Sequence, residues 1–404
     1  MLIRNSYLEK VRPFVGLDIV KVITGMRRSG KSVLMEQIRD EIIRKDNPRT
    51  TVFYLNLEEE ENARFLKKGV LHEHVLKIIR KAKGGRVAVF LDEIHEVEDW
   101  EISVNSLRAK RNVDVYVTGS NSKLLSGELA THLTGRYVEI KVNPYSFAEF
   151  REASASVFGA FSREEQFQRY LEFGGLPFLA NLGYCREWTK VYLEDVFSSI
   201  LLKDVARRGK IRDIDLLNRV VRYVMTETGH TFSAASIVRY LKNEGRPCTV
   251  DTVLNYLTLC EEAFLFMRVP REDLVGRKVL SVDEKFYVTD HGMRRALIGG
   301  AARQDIDQVL ENIVCGELLR RGWRITVGRV RAREIDFVAE KGDDKRYYQV
   351  AYLMPDEKVR GREFGAFEGL KDGYPRVVVS MDPVDMGGNG IRHMNICDFL
   401  LQQT

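Results

Sequence analysis

The amino-acid sequence predicts an α/β protein whose first third forms a parallel sheet with helices on both faces. Short apolar segments rich in β-branched and aromatic residues alternate with segments that have helical spacing. The apolar segments are nearly continuous, which is typical of strands buried on both faces. A glycine-rich loop joins the first of them to a helix-like segment. Together these patterns predict a doubly covered parallel sheet.

The order of elements predicts four domains. The predicted strands of the first domain, residues 1–145, are 19–24, 51–57, 87–93, 113–119 and 137–142. Residues 146–210 are mostly helical and are expected to form a helical lid, broken once at 173–177. Residues 211–298 have three helix-like segments followed by two strands, the order of a winged helix, with Ser233 and Thr249 at N-cap positions. Residues 299–404 begin with a helix and continue as mixed strands and helices.

Composition and charge exclude several classes of protein. The chain has 63 basic and 58 acidic residues, a formal charge of +5, which does not mark a nucleic-acid binder but permits local basic patches. The five cysteines have neither zinc-site spacing nor a disulfide framework. No segment resembles a signal peptide or a membrane span. A cytoplasmic protein without a membrane partner is therefore expected.

Residues 25–32, with the sequence GMRRSGKS, fit the phosphate-binding pattern G-x-x-x-x-G-K-[S/T]. The loop follows a predicted strand and opens a predicted helix, which is the context that this chemistry requires. Gly25 and Gly30 would let backbone amides surround a phosphate, Lys31 would bridge the β- and γ-phosphates, and Ser32 would bind Mg²⁺. Ser29 and Val33, in the same loop and first helical turn, are expected nucleotide contacts. The sequence thus predicts a P-loop, or Walker A, site for ATP and Mg²⁺.

Two carboxylates complete the predicted site. Asp92 and Glu93 end the apolar segment VAVFLDE. Asp92 is expected in the Mg²⁺ shell, and Glu93 is expected to orient or deprotonate the attacking water. An acidic pair at a strand end also serves as a helix cap, but at this distance after a P-loop it indicates hydrolysis rather than binding alone.

Further polar residues are weaker candidates. Ser120 and Asn121, with Thr118, end the fourth predicted strand, where they would sense the γ-phosphate or simply cap a turn. Asn56 ends the second strand, where it would couple Glu93 to a ligand or merely terminate the strand. Arg136 is a candidate arginine finger, supplied within or between subunits, and an ordinary surface arginine is the alternative.

Several motifs resemble those of bacterial and archaeal AAA-type ATPases related to the STAND and archaeal-ATPase clade. They are ITGMRRSGKSVLMEQI, FLDEIHEVEDWE, VTGSNSKLLSGELATHLTGR, NPYSFAEF and FGGLP. The second half resembles the domain of unknown function that follows such ATPases, in ILLKDVARRGKIRD, FYVTDHG, LENIVCGELLRRG and EIDFVAE. The resemblance implies an AAA-type core, a helical lid, a winged helix and a restriction-endonuclease-like terminus. It also implies that Gly175 and Pro177 lie near the nucleotide, although a plain helix break explains them equally well.

The resemblance to a nuclease fold can be tested residue by residue. That fold uses a helix glutamate, then an aspartate, then Glu-x-Lys on the next strand. Glu311 or Glu317 would be the helix acid, and Asp336 stands at the aspartate position. The next strand has Gln349 and Ala351 in place of the acid and the lysine, so the site is expected to be degenerate unless a basic residue replaces the lysine. The sequence candidates for that replacement are Lys345, Lys358, Arg360 and Arg362.

DNA binding rests on basic residues in the winged-helix region. The candidates for phosphate contacts are Arg239, Lys242, Arg246, Arg268, Arg271, Arg277 and Lys278. However, segment 250–263, where a recognition helix would lie, contains no Arg or Lys. The leading hypothesis is a Mg²⁺-dependent ATPase that couples nucleotide state to a DNA-associated C-terminal module. A ring oligomer acting on branched or structured DNA is one form that this hypothesis can take. The alternatives are a slow nucleotide-gated switch that binds a protein partner, and an ATP-regulated nuclease.

Overall fold

The computed structural model describes residues 2–45, 49–122, 133, 135–159, 161–276, 278–299 and 305–402 of this 404-residue chain. The chain divides into two compact units. The first comprises Met1–Pro144 with Glu262–Phe264, and the second comprises Tyr145–Glu261 with Leu265–Thr404. Within the described ranges, no helix is both long enough and apolar enough to cross a membrane.

The first unit is built on a sheet of five parallel strands. These strands are β1 (Val20–Thr24), β2 (Thr51–Asn56), β3 (Val87–Asp92), β4 (Val113–Gly119) and β5 (Tyr137–Lys141), in the spatial order β2-β3-β4-β1-β5. Its helices are α1 (Asn5–Val11), α2 (Lys31–Gln37), α3 (Val70–Lys81) and α4 (Trp100–Arg108), with a π-helical continuation of α2 over Ile38–Arg44. The predicted α/β fold with a parallel core is confirmed.

Alternate residues of β3 explain why both faces of this sheet are covered. Val89 points to the face where α3 and α4 pack, together with Trp100. Phe90 points to the other face, where α1 and α2 contribute Tyr7 and Leu34. All six residues of β3 are buried, because successive side chains of a strand enter opposite cores.

The second unit has helices before, between and after the strands of its sheet. These are α5 (Phe147–Phe158), α6 (Arg163–Phe173), α7 (Arg186–Ser199), α8 (Ile214–Thr226), α9 (Ala234–Asn243), α10 (Val250–Glu262), α11 (His291–Ile298), α12 (Ile306–Arg320), α13 (Glu357–Gly365) and α14 (Ile396–Leu401). Helix α7 continues through Ile200–Ala206 and Arg207–Gly209. The predicted N-caps are confirmed: Ser233 forms a capping box at α9, and Thr249 Oγ1 accepts from the amide of Thr252 at 3.1 Å.

A seven-stranded mixed sheet completes the second unit. Its strands are β6 (Phe266–Asp273), β7 (Lys278–Val288), β8 (Arg324–Val330), β9 (Arg333–Lys341), β10 (Asp344–Val350), β11 (Arg376–Ser380) and β12 (Ile391–Asn395), in the order β12-β11-β10-β9-β8-β6-β7. The hairpin β6–β7 was expected to belong to a separate winged helix. Instead β6 pairs in parallel with β8, so the boundary expected at 298–299 does not separate two sheets. Sequence patterns give strands but not their long-range partners, which explains the difference.

Candidate nucleotide site and a second acidic site

The P-loop connects β1 to α2 at the carboxyl edge of the parallel sheet. Gly25 has φ of 142°, and a Cβ there would lie 2.2 Å from the carbonyl oxygen of Val142. Gly30 has φ of 95° and directly precedes α2, so both glycines are required by the backbone. No described side chain caps the start of α2, which leaves the amides of its first turn available to a phosphate.

We expect Gly25→Ala to destabilise the first unit. The added methyl group must push the Val142 carbonyl away, and overpacking of this kind costs about 1–3 kcal/mol. Urea unfolding would measure the loss. Gly69→Ala is the matched control, because Gly69 also has positive φ but a Cβ there meets nothing within 4 Å. An equal loss in both variants would show that backbone strain, rather than the close approach, governs Gly25.

Lys31 lies inside the loop with only 5% of its surface exposed. Its Nζ donates to the carbonyl oxygens of Gly25 at 3.2 Å and Met26 at 3.3 Å, and lies 3.6 Å from Glu93 Oε1. The side-chain oxygen of Ser29 is buried, with no hydrogen-bond partner among the described residues. A buried polar atom without a partner is costly unless a ligand or water satisfies it. Ser29 and Lys31 therefore fit a polar anionic ligand.

Asp92 is fixed by two hydroxyl groups from neighbouring strands. The Thr118 hydroxyl donates to Asp92 Oδ1, and the Tyr54 hydroxyl donates to Oδ2 at 3.1 Å. Burial, reinforced by the charge of Asp92, holds the pKa of Tyr54 above its ordinary value. Tyr54 therefore stays protonated and keeps donating to the carboxylate.

The donor set at this edge fits Mg²⁺. Asp92 offers a buried carboxylate, and Ser32 offers an exposed hydroxyl in the first turn of α2. Within the described residues, no group of three His, Cys, Asp or Glu side chains is arranged to hold a metal. Mg²⁺ commonly uses one or two protein oxygens and takes the remaining ligands from phosphates and water. Ser32 and Asp92 suit a metal that arrives with its nucleotide. Val33 follows them in α2, half-buried.

Glu93 is held in a conformation that few non-glycine residues adopt. Its φ is 52°, and its amide donates to Thr118 Oγ1 at 2.8 Å. The carboxylate lies between two cationic or titratable groups: Oε1 faces Lys31, and Oε2 lies 3.3 Å from His95 Nδ1. Strained backbone of this kind persists only where the surroundings impose it. Sequence reasoning missed His95, although its position two residues after Glu93 was a usable signal.

The remaining polar candidates have mixed outcomes. Thr118, Ser120 and Asn121 are buried at the carboxyl edge, and the Thr118 hydroxyl is fully used by Asp92 and Glu93. Asn56 lies beside Asp92 in the strand register. The Asn56 side chain bonds to Glu58 and Glu59 instead, so its coupling to Glu93 stays a prediction.

Arg136 lies at the opposite edge of the sheet. Its carbonyl accepts from the amide of Val20, at the amino end of β1, and its side chain is exposed. The P-loop follows the carboxyl end of the same strand, about 16 Å away at the usual rise per residue. Arg136 therefore does not lie beside the P-loop of its own subunit, and its role as an arginine finger stays a prediction.

Gly175 and Pro177 lie in the second unit. The amide of Gly175 donates to Asp290 Oδ2 at 2.8 Å, and its carbonyl accepts from the amide of Tyr145 at 2.6 Å. Pro177 begins the short 3₁₀ turn Pro177–Ala180. These contacts account for the motif as a helix break, and its approach to a nucleotide stays a prediction.

The second unit contains a cavity of about 490 Å³ at the sequence-predicted nuclease-like position. Glu311, Asp336 and Gln349 line this cavity together, with Glu334 and Glu363. Of the four basic residues proposed from the sequence as replacements for the missing lysine, Arg362 also lines it. Glu317, the alternative helix acid, instead forms ion pairs with Arg320 at 2.9 Å and Arg321 at 2.8 Å. Of the two alternatives, the structure therefore places Glu311 and not Glu317 at this cavity, and the role of Glu311 as the helix acid stays a prediction.

Lys285 pairs with three of the acids that line this site. Its buried Nζ lies 2.8 Å from Glu311 Oε1, 2.8 Å from Glu334 Oε1 and 3.8 Å from Asp336 Oδ1. Burial alone would lower the pKa of Lys285, but these carboxylates outweigh it and hold that pKa above its ordinary value. Burial, with the charge of Glu311, raises the pKa of Asp336 well above its usual range. No local sequence pattern connects Lys285 with Asp336, because they lie on strands that are not neighbours.

We expect Lys285→Met to lower the free energy of unfolding by about 3–5 kcal/mol, because it leaves buried carboxylates uncompensated. Urea unfolding would measure this. The loss should shrink as the pH falls, since carboxylates with raised pKa become neutral first. Lys345→Met is the control. Lys345 lies 3.2 Å from Glu340, and because both side chains are partly exposed, this ion pair contributes less than about 1 kcal/mol to the free energy of unfolding. A loss that does not change with pH would contradict the electrostatic explanation.

Two family models match this chain. Residues 18–151 match the family model of an AAA domain, and residues 164–304 match that of the domain of unknown function DUF8612. A Haemophilus influenzae protein described as uncharacterized is 34% identical over 403 residues, covering 100% of this chain and 99% of the relative. A Methanocaldococcus jannaschii protein, also described as uncharacterized, is 29% identical over 368 residues, covering 87% of this chain and 79% of the relative. Among solved structures, a Walker-type ATPase of Pyrococcus abyssi has a TM-score of 0.52 at 14% identity, covering 74% of this chain and 96% of that chain, which shows the fold alone.

Proposed function

We propose that this chain, which belongs to the same AAA-domain protein family as its Haemophilus influenzae relative, binds and hydrolyses ATP with Mg²⁺. The observation that carries this proposal is the placement of Glu93. Its buried carboxylate lies 3.6 Å from the P-loop lysine, on a turn that Thr118 fixes. A site for binding alone would need the loop and Lys31, but not a carboxylate held against them.

The residues suggest how the reaction proceeds. On binding, the phosphates of ATP take the place of the loop carbonyls around Lys31, and the amides at the start of α2 surround them. Ser32 and Asp92 would hold Mg²⁺, which neutralises phosphate charge when bound. Glu93, released from Lys31 but still beside His95, accepts the proton of the attacking water.

Thr118 is expected to matter without touching ATP. Thr118→Val keeps the side-chain shape but removes both the donor to Asp92 and the acceptor for the Glu93 amide. We expect kcat to fall about 10- to 100-fold, since a lost hydrogen bond to a charged group costs about 1.5–3 kcal/mol. Steady-state ATP hydrolysis would measure the fall. Thr118→Ser, which keeps the hydroxyl, should recover most of the rate, and failure to do so would show that packing rather than hydrogen bonding is needed.

We propose further that nucleotide state in the first unit controls binding of DNA by the second unit. Arg239 and Lys242, both exposed on α9, support this, because exposed basic residues neutralise phosphates. A ring oligomer would let the exposed Arg136 reach the nucleotide of a neighbouring subunit.

A second candidate is a nucleotide-gated switch for a protein partner. It is favoured by the ion pairs that occupy much of the basic region: Arg246 pairs with Asp215, and Arg268 lies 2.5 Å from Glu284. Arg271 lies 3.6 Å from Glu334. Arg277 and the side chain of Lys278 lie outside the described residues. Paired arginines are poorer phosphate ligands, because each must first leave its carboxylate.

One observation supports the third candidate, an ATP-regulated nuclease. Glu363, which lines the cavity, accepts from Gln349 Nε2 at 3.1 Å, and Lys285 lies 3.8 Å from Asp336 Oδ1. An acid and a cation therefore lie close to the positions where Gln349 and Ala351 provide neither. Its test is cleavage of DNA with Mg²⁺ or Mn²⁺. Cleavage by the wild-type protein and none by Asp336→Ala would establish this activity.

The deciding experiment for the main proposal is steady-state ATP hydrolysis with Mg²⁺, alone and with duplex, single-stranded and four-way-junction DNA. The Glu93→Gln protein is the control for contaminating ATPase. A rate that one form of DNA raises supports the DNA-coupled ATPase. A slow rate that no DNA changes, with no DNA binding at low salt, supports the switch. A rate equal to that of Glu93→Gln contradicts hydrolysis itself.

A further inference from the structure

Residues 2–11 precede the AAA-domain match, which begins at residue 18, yet this segment contacts the P-loop. The amide of Arg4 donates to Gln37 Oε1 at 3.1 Å, and Gln37 Nε2 donates to the carbonyl oxygen of Leu2 at 2.7 Å. Gln37 is the last residue of α2, the helix that begins with Lys31. The side-chain amide of Gln37 thus binds the amino-terminal segment to the phosphate-binding helix twice, once as an acceptor and once as a donor.

The side chain of Arg4 reaches the loop itself. Its Nη1 donates to the carbonyl oxygen of Ser29 at 3.2 Å, and its guanidinium lies 4.4 Å from the centre of the Tyr7 ring. Only 3% of Arg4 is exposed. Burying a guanidinium is costly, and an apolar side chain would fill the same space without that cost. A buried arginine at this position therefore indicates a role in which its charge and donors are used.

Holding the Ser29 carbonyl has a direct consequence for the loop. Carbonyl and amide groups of a peptide point in opposite directions, because the peptide unit is planar and trans. Arg4 holds the Ser29 carbonyl so that it points toward the guanidinium. The Gly30 amide belongs to the same peptide unit, so it must point away from Arg4. A loop that is ordered before the ligand arrives loses less entropy on binding.

The same segment also contacts the chain where it leaves the first unit. The amide of Asn143 donates to the Tyr7 hydroxyl at 3.1 Å, and Asn143 immediately precedes Pro144, the last residue of the main stretch of that unit. Tyr7 is buried and packs under Arg4. A chain of contacts thus runs from the P-loop through Arg4 and Tyr7 to this exit.

We propose that residues 2–11 form an integral part of the nucleotide site, and that Arg4 is a positioning residue that pre-orders the P-loop for phosphate binding. This inference rests on the proposed binding of ATP. It assigns a role to a segment outside the AAA-domain match and adds Arg4 to the residues that the loop motif predicts.

The test compares Arg4→Met and Arg4→Lys with the wild-type protein in binding of a fluorescent ATP analogue and in steady-state hydrolysis. For Arg4→Met we expect Kd and KM to rise about tenfold, with kcat within about twofold, as for the loss of one charge-assisted hydrogen bond. Arg4→Lys, which keeps a charge and a donor, should recover part of the affinity. Arg12→Met, at an exposed arginine just beyond α1, is the control and should match the wild type.

Hydrogen–deuterium exchange on the wild-type protein gives a second readout that needs no variant. With Mg²⁺ and a non-hydrolysable ATP analogue, amides of residues 2–11 should become more protected together with those of the P-loop. Helix α3, on the other face of the sheet, should change little. Unchanged affinity in Arg4→Met, or unchanged exchange in residues 2–11 while the P-loop becomes protected, would overturn the proposal. Failure of the wild-type protein to bind any nucleotide would overturn the ATPase proposal as well.

Discussion

Glu93→Gln is expected to lower kcat for ATP hydrolysis by about 100- to 10,000-fold while ATP binding persists, because general-base catalysis contributes a factor of that size. Glutamine keeps the shape of the side chain and can still contact His95, but it cannot accept the proton of the attacking water. Nucleotide affinity should stay close to that of the wild type or improve, since a negative charge near the γ-phosphate is removed.

Single-turnover hydrolysis and equilibrium binding measured on the same preparations would check this result. Glu98→Gln, an exposed acid five residues further along, is the matched control and should hydrolyse ATP at the wild-type rate. If Glu93→Gln kept more than about a tenth of the wild-type kcat, the proton would have to be taken by another group or by the phosphate itself.

Lys31→Ala is expected to weaken ATP binding about 10- to 100-fold and to lower kcat/KM by at least as much. A hydrogen bond from a charged donor contributes about 1.5–3 kcal/mol, and each 1.4 kcal/mol corresponds to a factor of ten. Lys31 bonds to two loop carbonyls, so part of its contribution to ATP binding is offset by the contacts that it gives up.

Isothermal titration with Mg²⁺-ATP would measure this affinity. Lys77→Ala removes an exposed lysine from α3 and serves as the control. A Lys31→Ala protein that binds ATP within twofold of the wild type would mean that the loop amides alone hold the phosphates. This result would contradict the role proposed for Lys31 but not the role proposed for Glu93.

Local patterns were enough to propose the candidate nucleotide site. Gly25, Gly30 and Lys31 follow a strand and open a helix, and a parallel sheet brings strand ends to one edge, so Asp92 had to lie nearby. The same logic shows why Arg136 was harder to place. The sequence gives its distance along the chain from β5, but only the strand order and direction show that it lies at the other edge.

The second acidic site shows where sequence reasoning ends. Glu311 and Asp336 could be proposed from motif positions, but the basic residue near them could not. Lys285 lies on β7, which is separated from the β9 strand of Asp336 by two other strands, and it reaches the cluster only through tertiary packing. The joining of β6 to β8 was also not predictable, because hydrogen-bonded partners far apart in sequence leave no local pattern.

The sequence by itself therefore determined the α/β class, the P-loop, and the acids Asp92 and Glu93, because each depends on residues close together in the chain. The tertiary structure decided that Thr118 holds Glu93 beside His95, that Arg4 bonds to the loop, and that Lys285 pairs with Glu311 at the second acidic site. The physical reason is the range of each interaction. Backbone preference and hydrophobic period act over a few residues, whereas a buried charge finds its partner only when distant segments fold together.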